Sequence, residues 1–258
     1  MLLLALLMIG ATACNSSLVN GTDGQATLRL VAADSCAVLV ERLAEAYQRD
    51  RPQVVIEIEV FNSAVAERRL SDGQADLALL SRVGEGSDTG DLWLQEFASH
   101  GVALITNPSL PFDDAGLAEL REIFWAQLLE LDGQLLLPVT REDGSGVRAF
   151  FDSVVLGHNG VAPNAVVMPS NRLVVEYVAQ TPGAVGYVST LVLGDPTEWG
   201  VHVVAVEGVL PSAAAVADGS YPLANRLRIA TVGEPRGEAR EFAQWLLGPC
   251  GQEIVWSR

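Results

Sequence analysis

Leu135-Leu136-Leu137-Pro138-Val139-Thr140-Arg141-Glu142-Asp143-Gly144-Ser145-Gly146-Val147-Arg148-Ala149-Phe150-Phe151 is the stretch on which the fold turns. Residues 135–140 are apolar and read as a strand. The polar run Arg141-Glu142-Asp143-Gly144 is a loop, and Ser145 is an N-cap. Beyond it Val147, Phe150, Phe151 and Val154 stand at i, i+3, i+4 and i+7, the single apolar face of a helix. A strand that runs straight into a capped helix is the unit of α/β proteins, whose ligands bind at the carboxyl ends of strands. The free N–H groups at such a helix start suit an oxyanion.

Outward from this unit the pattern repeats. Toward the N-terminus, strands are expected over 27–32, 54–61, 75–81 and 101–107. Cys36, Leu39, Val40, Leu43 and Tyr47 mark a helix face after the first of them, with Asp34 or Ser35 as cap. Asn62 or Ser63 caps a short helix ending at Gly73. Toward the C-terminus the pattern predicts helices over 114–127, 170–181 and 235–247, the last stopped by Gly248. Further strands are expected over 184–189, 202–206 and 226–231. Four strand ends therefore meet polar caps: Asp34-Ser35, Asn62-Ser63, Ser81-Arg82, and Arg141 to Ser145. The fold class is α/β with mostly parallel sheets flanked by helices.

Composition removes several functions. The 258 residues suffice for two modest domains, and 49% are hydrophobic. Net charge is −16, and all 16 basic residues are arginine. Without lysine there is neither a Walker-type phosphate loop nor a Schiff base. The acidity speaks against nucleic acid as a partner. No H-E-x-x-H or C-x-x-C points to a metal, and no cofactor motif is present. Asp143 to Val147 is not a G-x-S-x-G elbow, and His100, His158 and His202 read as structural, so no catalytic residue is assigned.

Met1 to Ala13 is apolar but too short to span a bilayer, and reads as a signal peptide over 1–13. Ala11-Thr12-Ala13 before Cys14 resembles the lipobox of bacterial lipoproteins, which makes Cys14 the lipidation site and 14–25 a tether. A plain cleaved signal with an incidental cysteine is the alternative. Cys36 and Cys250 either form a disulfide or are two separate buried thiols.

Arg141-Glu142-Asp143-Gly144-Ser145-Gly146-Val147 resembles the R-x-D-G-S-G-T motif of the periplasmic phosphate-binding proteins of ABC transporters. Asp76 to Arg82, Thr106-Asn107-Pro108, Pro182-Gly183-Ala184-Val185-Gly186-Tyr187-Val188, Ser220-Tyr221-Pro222-Leu223 and Gly251 to Val255 match further segments of that family in order. The resemblance implies a type II periplasmic-binding-protein fold of two lobes joined by two crossing strands. Lobe 1 would hold 26–107 and 188–258, and lobe 2 would hold 108–187. Hinge closure would bury a small oxyanion, most simply phosphate. Arg141 would pair with it, Ser145 would donate its hydroxyl, and the Gly146 and Val147 amides would donate from the helix start. Asp143 would hold Arg141, while Asp34, Ser35, Asn62, Ser63 and Ser81 would face the ligand from the other lobe. The resemblance also implies an extracytoplasmic monomer, anchored to the membrane by lipid alone and serving an ABC permease and ATPase.

Three positions depart from the family pattern: Val147 replaces threonine, Asp34 replaces threonine, and Arg82 stands where some members carry aspartate. Asp34 would take the role of proton acceptor, with Arg82, also among the residues around the ligand, compensating its charge. An alternative follows from the same departures: a surface sensor or interaction module whose pocket is degenerate or takes sulfate or a phosphate ester.

Overall fold

The computed structural model describes residues 25–257 other than 83–90, 111, 126–127, 129, 132 and 158–159. The leader, Cys14 and nearly all of the tether lie outside the described residues. So does His158.

A single mixed sheet runs through the molecule, and one long strand belongs to both of its halves. In the first half β1 (Ala26–Ala33) lies between β2 (Val54–Phe61) and β3 (Leu77–Leu80), parallel to both. The connections are α1 (Ala37–Asp50) and α2 (Ser63–Ser71). Next comes β4 (Leu92–Thr106), fifteen residues long. In the second half β5 (Asp114–Ala115) and α3 (Leu117–Phe124) precede a small hairpin of β6 (Glu130–Leu131) and β7 (Gln134–Leu135). β8 (Leu137–Arg141) leads into α4 (Gly146–Phe151) and a π-helical turn, Asp152–Leu156. β9 (Val166–Met168), α5 (Asn171–Gln180) and β10 (Ala184–Ser189) follow, then α6 (Thr190–Leu193), α7 (Pro196–Trp199), β11 (His202–Val206) and α8 (Ala213–Asp218). β12 (Ala224–Val232) returns to the first half, and α9 (Gly237–Leu247) and α10 (Pro249–Trp256) close the chain.

The register shows how β4 joins the halves. Leu92 to Gly101 pair antiparallel with β12, which itself lies beside β3. Val102 to Thr106 pair antiparallel with β10 on one side, and Leu104 to Thr106 with β11 on the other. Each half carries apolar clusters on both sheet faces. In the first, Leu28, Leu30, Leu43, Tyr47, Phe242 and Leu246 pack on one face and Val31, Ala66, Leu70 and Leu80 on the other. In the second, Leu104, Phe124, Phe151, Tyr187 and Val204 oppose Ile105, Val139, Val174, Val178 and Val188. The Phe151 and Tyr187 rings stack at 4.0 Å. Each fully buried Leu or Phe contributes roughly 1.5–3 kcal/mol.

Several expectations need correction. The strand expected over 101–107 begins at Leu92, because β12 supplies partners for nine of its first ten residues. β11, α8, Tyr221 and Leu223 pack in the second half, not with lobe 1 where 188–258 was expected. The chain thus makes its first half from 25–101 and 224–257. Gly248 stops α9 but is also the N-cap of α10, whose Pro249 sits at the first helical position. Cys36 is a free, fully buried thiol, so it makes no disulfide with Cys250. Among the described residues no helix is long and apolar enough to cross a membrane.

Candidate functional site

The expected site residues come from four chain segments, and most meet where the two halves touch. Ser35, in the turn after β1, is 1% exposed; Ser63, the first residue of α2, is fully buried, and Ser81 after β3 nearly so. Across the junction Arg141, Ser145, Gly146 and Val147 are buried at the end of β8 and the start of α4. Ser63 Oγ and Ser81 Oγ share a hydrogen bond of 3.0 Å. Gly146 presses on both: a Cβ placed there would lie 2.1 Å from Ser81 Oγ and 2.5 Å from Ser63 Oγ. Only glycine allows this approach. The Ala64 amide donates to the Gly144 carbonyl at 3.0 Å, a direct bond between the halves. Gly144 turns the loop at φ +87°, a conformation favouring glycine.

Among the described residues Arg141 is the largest fully buried side chain, and its guanidinium organises the cluster. Nε and Nη2 donate to the Glu142 carboxylate at 2.9 and 3.0 Å, and Nε donates to the Met168 carbonyl at 3.2 Å. Nη1 lies 3.1 Å from Asp34 Oδ2, an ion-pair distance, without the alignment of a hydrogen bond. Nη1 therefore has no hydrogen-bond acceptor although it is buried, and Ser35 Oγ is in the same condition. Buried donors are almost always satisfied, so two left open in one polar cluster point to a ligand.

The side chains around this centre depart from expectation in instructive ways. Asp34 does not cap α1, whose N-cap is Cys36 with no side-chain bond. Its carboxylate instead reaches into the second half, where Oδ2 accepts from the Asn171 backbone N at 3.0 Å and from Asn171 Nδ2 at 2.8 Å. Asp143 does not hold Arg141. Its carboxylate is 95% exposed and pairs with Arg148 at 2.8 Å, while Glu142 makes the clamp. Gly144 reverses the chain right after Asp143 and leaves that carboxylate outside. Asn62 spends its Oδ1 capping α2, from the Val65 amide. Ser145 Oγ caps α4, accepting from the Arg148 amide at 3.3 Å. The Val147 side chain packs in the second-half core. Arg82 offers its backbone N near Gly146, while the residue lines a groove of about 600 Å³ with Phe150, Ser153, Arg226 and Arg228.

Beneath the cluster a hydrogen-bonded chain of buried side chains links α5, β10, β4 and β12, and the sequence carried no signal for it. Asn171 Oδ1 accepts from the Ser189 amide at 3.0 Å. Ser189 Oγ donates to the Ser35 carbonyl at 3.0 Å and faces His100 Nδ1 at 2.8 Å. Asn225 Nδ2 donates to the Ser81 carbonyl at 2.9 Å and approaches His100 Nε2 at 3.3 Å. With Asn225 donating, Nε2 is the acceptor and Nδ1 carries the proton. Burial pushes the His100 pKa down to about 4. Among the described residues no group of His, Cys, Asp and Glu could hold a metal ion.

Three comparisons bear on this geometry. Residues 19–249 match the family model described as a PBP superfamily domain. The phosphate-binding protein PstS of Bacillus subtilis is 30% identical over 95% of this chain and 87% of its own length. A solved structure from Clostridium perfringens, assigned as a phosphate ABC transporter substrate-binding protein and holding phosphate, superposes with a TM-score of 0.81 at 25% identity. That match covers 89% of this chain and 96% of the other. An ABC-type phosphate transport receptor from Vibrio cholerae shares the fold at a TM-score of 0.73 and 24% identity, over 88% and 96% of the two chains.

Proposed function

The chain belongs to the periplasmic phosphate-binding protein family of the PBP superfamily, and from that premise we propose that it is the extracytoplasmic receptor of an ABC importer for inorganic phosphate. In this reading Cys14 carries the lipid anchor, and a permease and ATPase receive the ligand. One observation carries the proposal: Arg141 Nη1, buried and without an acceptor, in a cluster of serine hydroxyls where two lobes meet.

The chemistry follows from the donors. A phosphate oxygen would take Arg141 Nη1 in a charge-assisted bond, which is roughly twice as strong as a neutral one. Ser35 Oγ and the first amides of α4, at Gly146 and Val147, add donors; Ser63, Ser81 and Ser145 complete the polar wall. Because donors on both lobes bind one anion, the ligand favours the closed arrangement over an open one. The guanidinium stands between two carboxylates, Asp34 and Glu142, so the cluster has no excess positive charge. Local donors therefore hold the anion, in keeping with a net charge of −16. Asp34 accepts a hydrogen bond from the P–O–H of hydrogen phosphate. Fully ionised sulfate offers no proton and meets that carboxylate as a like charge.

A phosphate ester is the second reading, and the groove beside Ser81 favours it, since Arg82, Arg226 and Arg228 could meet a second anionic group. Thermal shift of the purified protein against phosphate, sulfate, molybdate and phosphate monoesters separates the readings. Phosphate at 100 times its dissociation constant should add about 2.7 kcal/mol. Arg141→Ala should abolish that gain. A response to esters alone would reassign the ligand, and no response to any anion would make the protein a surface module with a degenerate pocket.

A further inference from the structure

Asn171 stands outside every motif discussed above, yet it ties the two lobes together through Asp34 and β10. It is 1% exposed, at the first position of α5 behind the cap Ser170. Its backbone N and Nδ2 both donate to a single oxygen, Asp34 Oδ2. Its Oδ1 is anchored by the Ser189 amide on β10, so the side chain cannot swing away without breaking that bond. Arg141 Nη1 stands 3.1 Å from the same Oδ2. Asp34 Oδ1, by contrast, takes no hydrogen bond from any described residue.

We infer that Asn171 is a specificity-determining positioning residue: by saturating Asp34 Oδ2 it fixes which carboxylate oxygen faces the ligand, and so makes the site select a protonated oxyanion. The inference rests on the phosphate reading above and deepens it. A carboxylate free to rotate could turn away from the ligand and leave no acceptor to read its proton. With two N–H bonds on Oδ2 that oxygen has no lone pair left for the ligand, and the carboxylate meets it as an acceptor through Oδ1. Hydrogen phosphate satisfies that acceptor with its P–O–H. Sulfate leaves it facing an oxygen lone pair, an unpaired buried contact of the kind that dominates discrimination.

The test is the ratio of phosphate to sulfate affinity, measured by calorimetric titration of the parent, Asn171→Ala, Asp34→Asn and the double variant, each first checked for its melting transition. The parent should prefer phosphate strongly. Asn171→Ala should reduce the preference at least tenfold, mainly through weaker phosphate binding and partly through stronger sulfate binding. Asp34→Asn should reduce it as much or more, and the double variant should match Asp34→Asn, because Asn171 acts through Asp34. If Asn171→Ala weakens both anions by one factor, Asn171 is only a structural tie and the inference is overturned. An unchanged ratio overturns it too. Should the alanine variant not fold, Asn171→Ser keeps the backbone donor and a small polar group at the helix start, and carries the same comparison. A parent that binds neither anion, or both alike, refutes the phosphate reading itself and is recognised before any variant is made.

Discussion

Acidification from about pH 7 to about pH 4.5 should weaken the fold through a proton that the unfolded chain takes up at His100 and the folded chain refuses. His100 is 1% exposed on β4, with Nε2 accepting from Asn225 and Nδ1 facing Ser189. A proton on Nε2 would set an N–H against the N–H of Asn225 and place an unpaired charge in the core. The pKa falls from the usual 6.5 to about 4 in the folded protein, through burial. Because the folded value is the lower one, the stabilisation is complete above pH 6.5 and is lost progressively as pH falls toward 4. That window is about 2.5 pH units wide; at about 1.36 kcal/mol per unit the full loss is about 3 kcal/mol. By pH 4.5 most of it is gone, equivalent to about 5–10 °C in Tm for a chain of this size. Thermal melts across the window should be run in parallel on the parent and on His100→Asn, whose amide can still reach Ser189. Carboxylates held down by partners, such as Asp76 beside Arg29, titrate in both proteins and cancel. Equal slopes between pH 6.5 and 4.5 would refute the assignment.

Three further outcomes follow from the junction and the core. Gly146→Ala puts a methyl group on Ser81 Oγ and Ser63 Oγ; it should prevent close apposition of the lobes, raise the radius of gyration in X-ray scattering, and cut anion affinity by roughly 100-fold, about 2.7 kcal/mol. Glu142→Gln should weaken anion binding at least tenfold by loosening the Arg141 clamp, whereas Asp143→Asn, at a 95% exposed carboxylate, should change stability by less than about 0.5 kcal/mol; equal effects in titration would reverse the roles given to the two. Cys36, whose pKa burial pushes up to about 12, should resist iodoacetamide in the native protein and react on unfolding, as peptide mass spectrometry would read.

Local signals were legible where local chemistry decides. The alternation in 54–61 gave β2, and Asn62, Ser145 and Ser170 cap the helices that follow them. Arg141 stood out through its place in the stretch that resembles the R-x-D-G-S-G-T motif. What was hidden is what the chain builds from distant parts. Nothing in residues 92–99 announces that β12, some 130 positions later, will extend β4 into the first half. Asp34 reads as a cap because aspartate before a helix usually is one; only the position of Asn171 makes it a contact between lobes. The choice of Glu142 over Asp143 as the arginine's partner depends on one backbone reversal at Gly144. His100, Ser189 and Asn225 are ordinary polar residues until β4, β10 and β12 bring them together.

The interleaving of the two lobes along the chain also has a consequence for how the protein comes into being. Residues 102–223 form the second lobe without interruption, while the first needs 25–101 and 224–257. A polypeptide emerging amino end first will therefore complete its second lobe earlier, with the first waiting on its last few dozen residues. The missing piece is not an edge. β12 lies between β3 and β4, so until it arrives the first sheet has a gap at its centre and two apolar faces without closure. Such a waiting state exposes unpaired strand edges, the condition in which chains aggregate. Synthesis cut short just before residue 224 would leave one lobe able to fold and the other permanently incomplete.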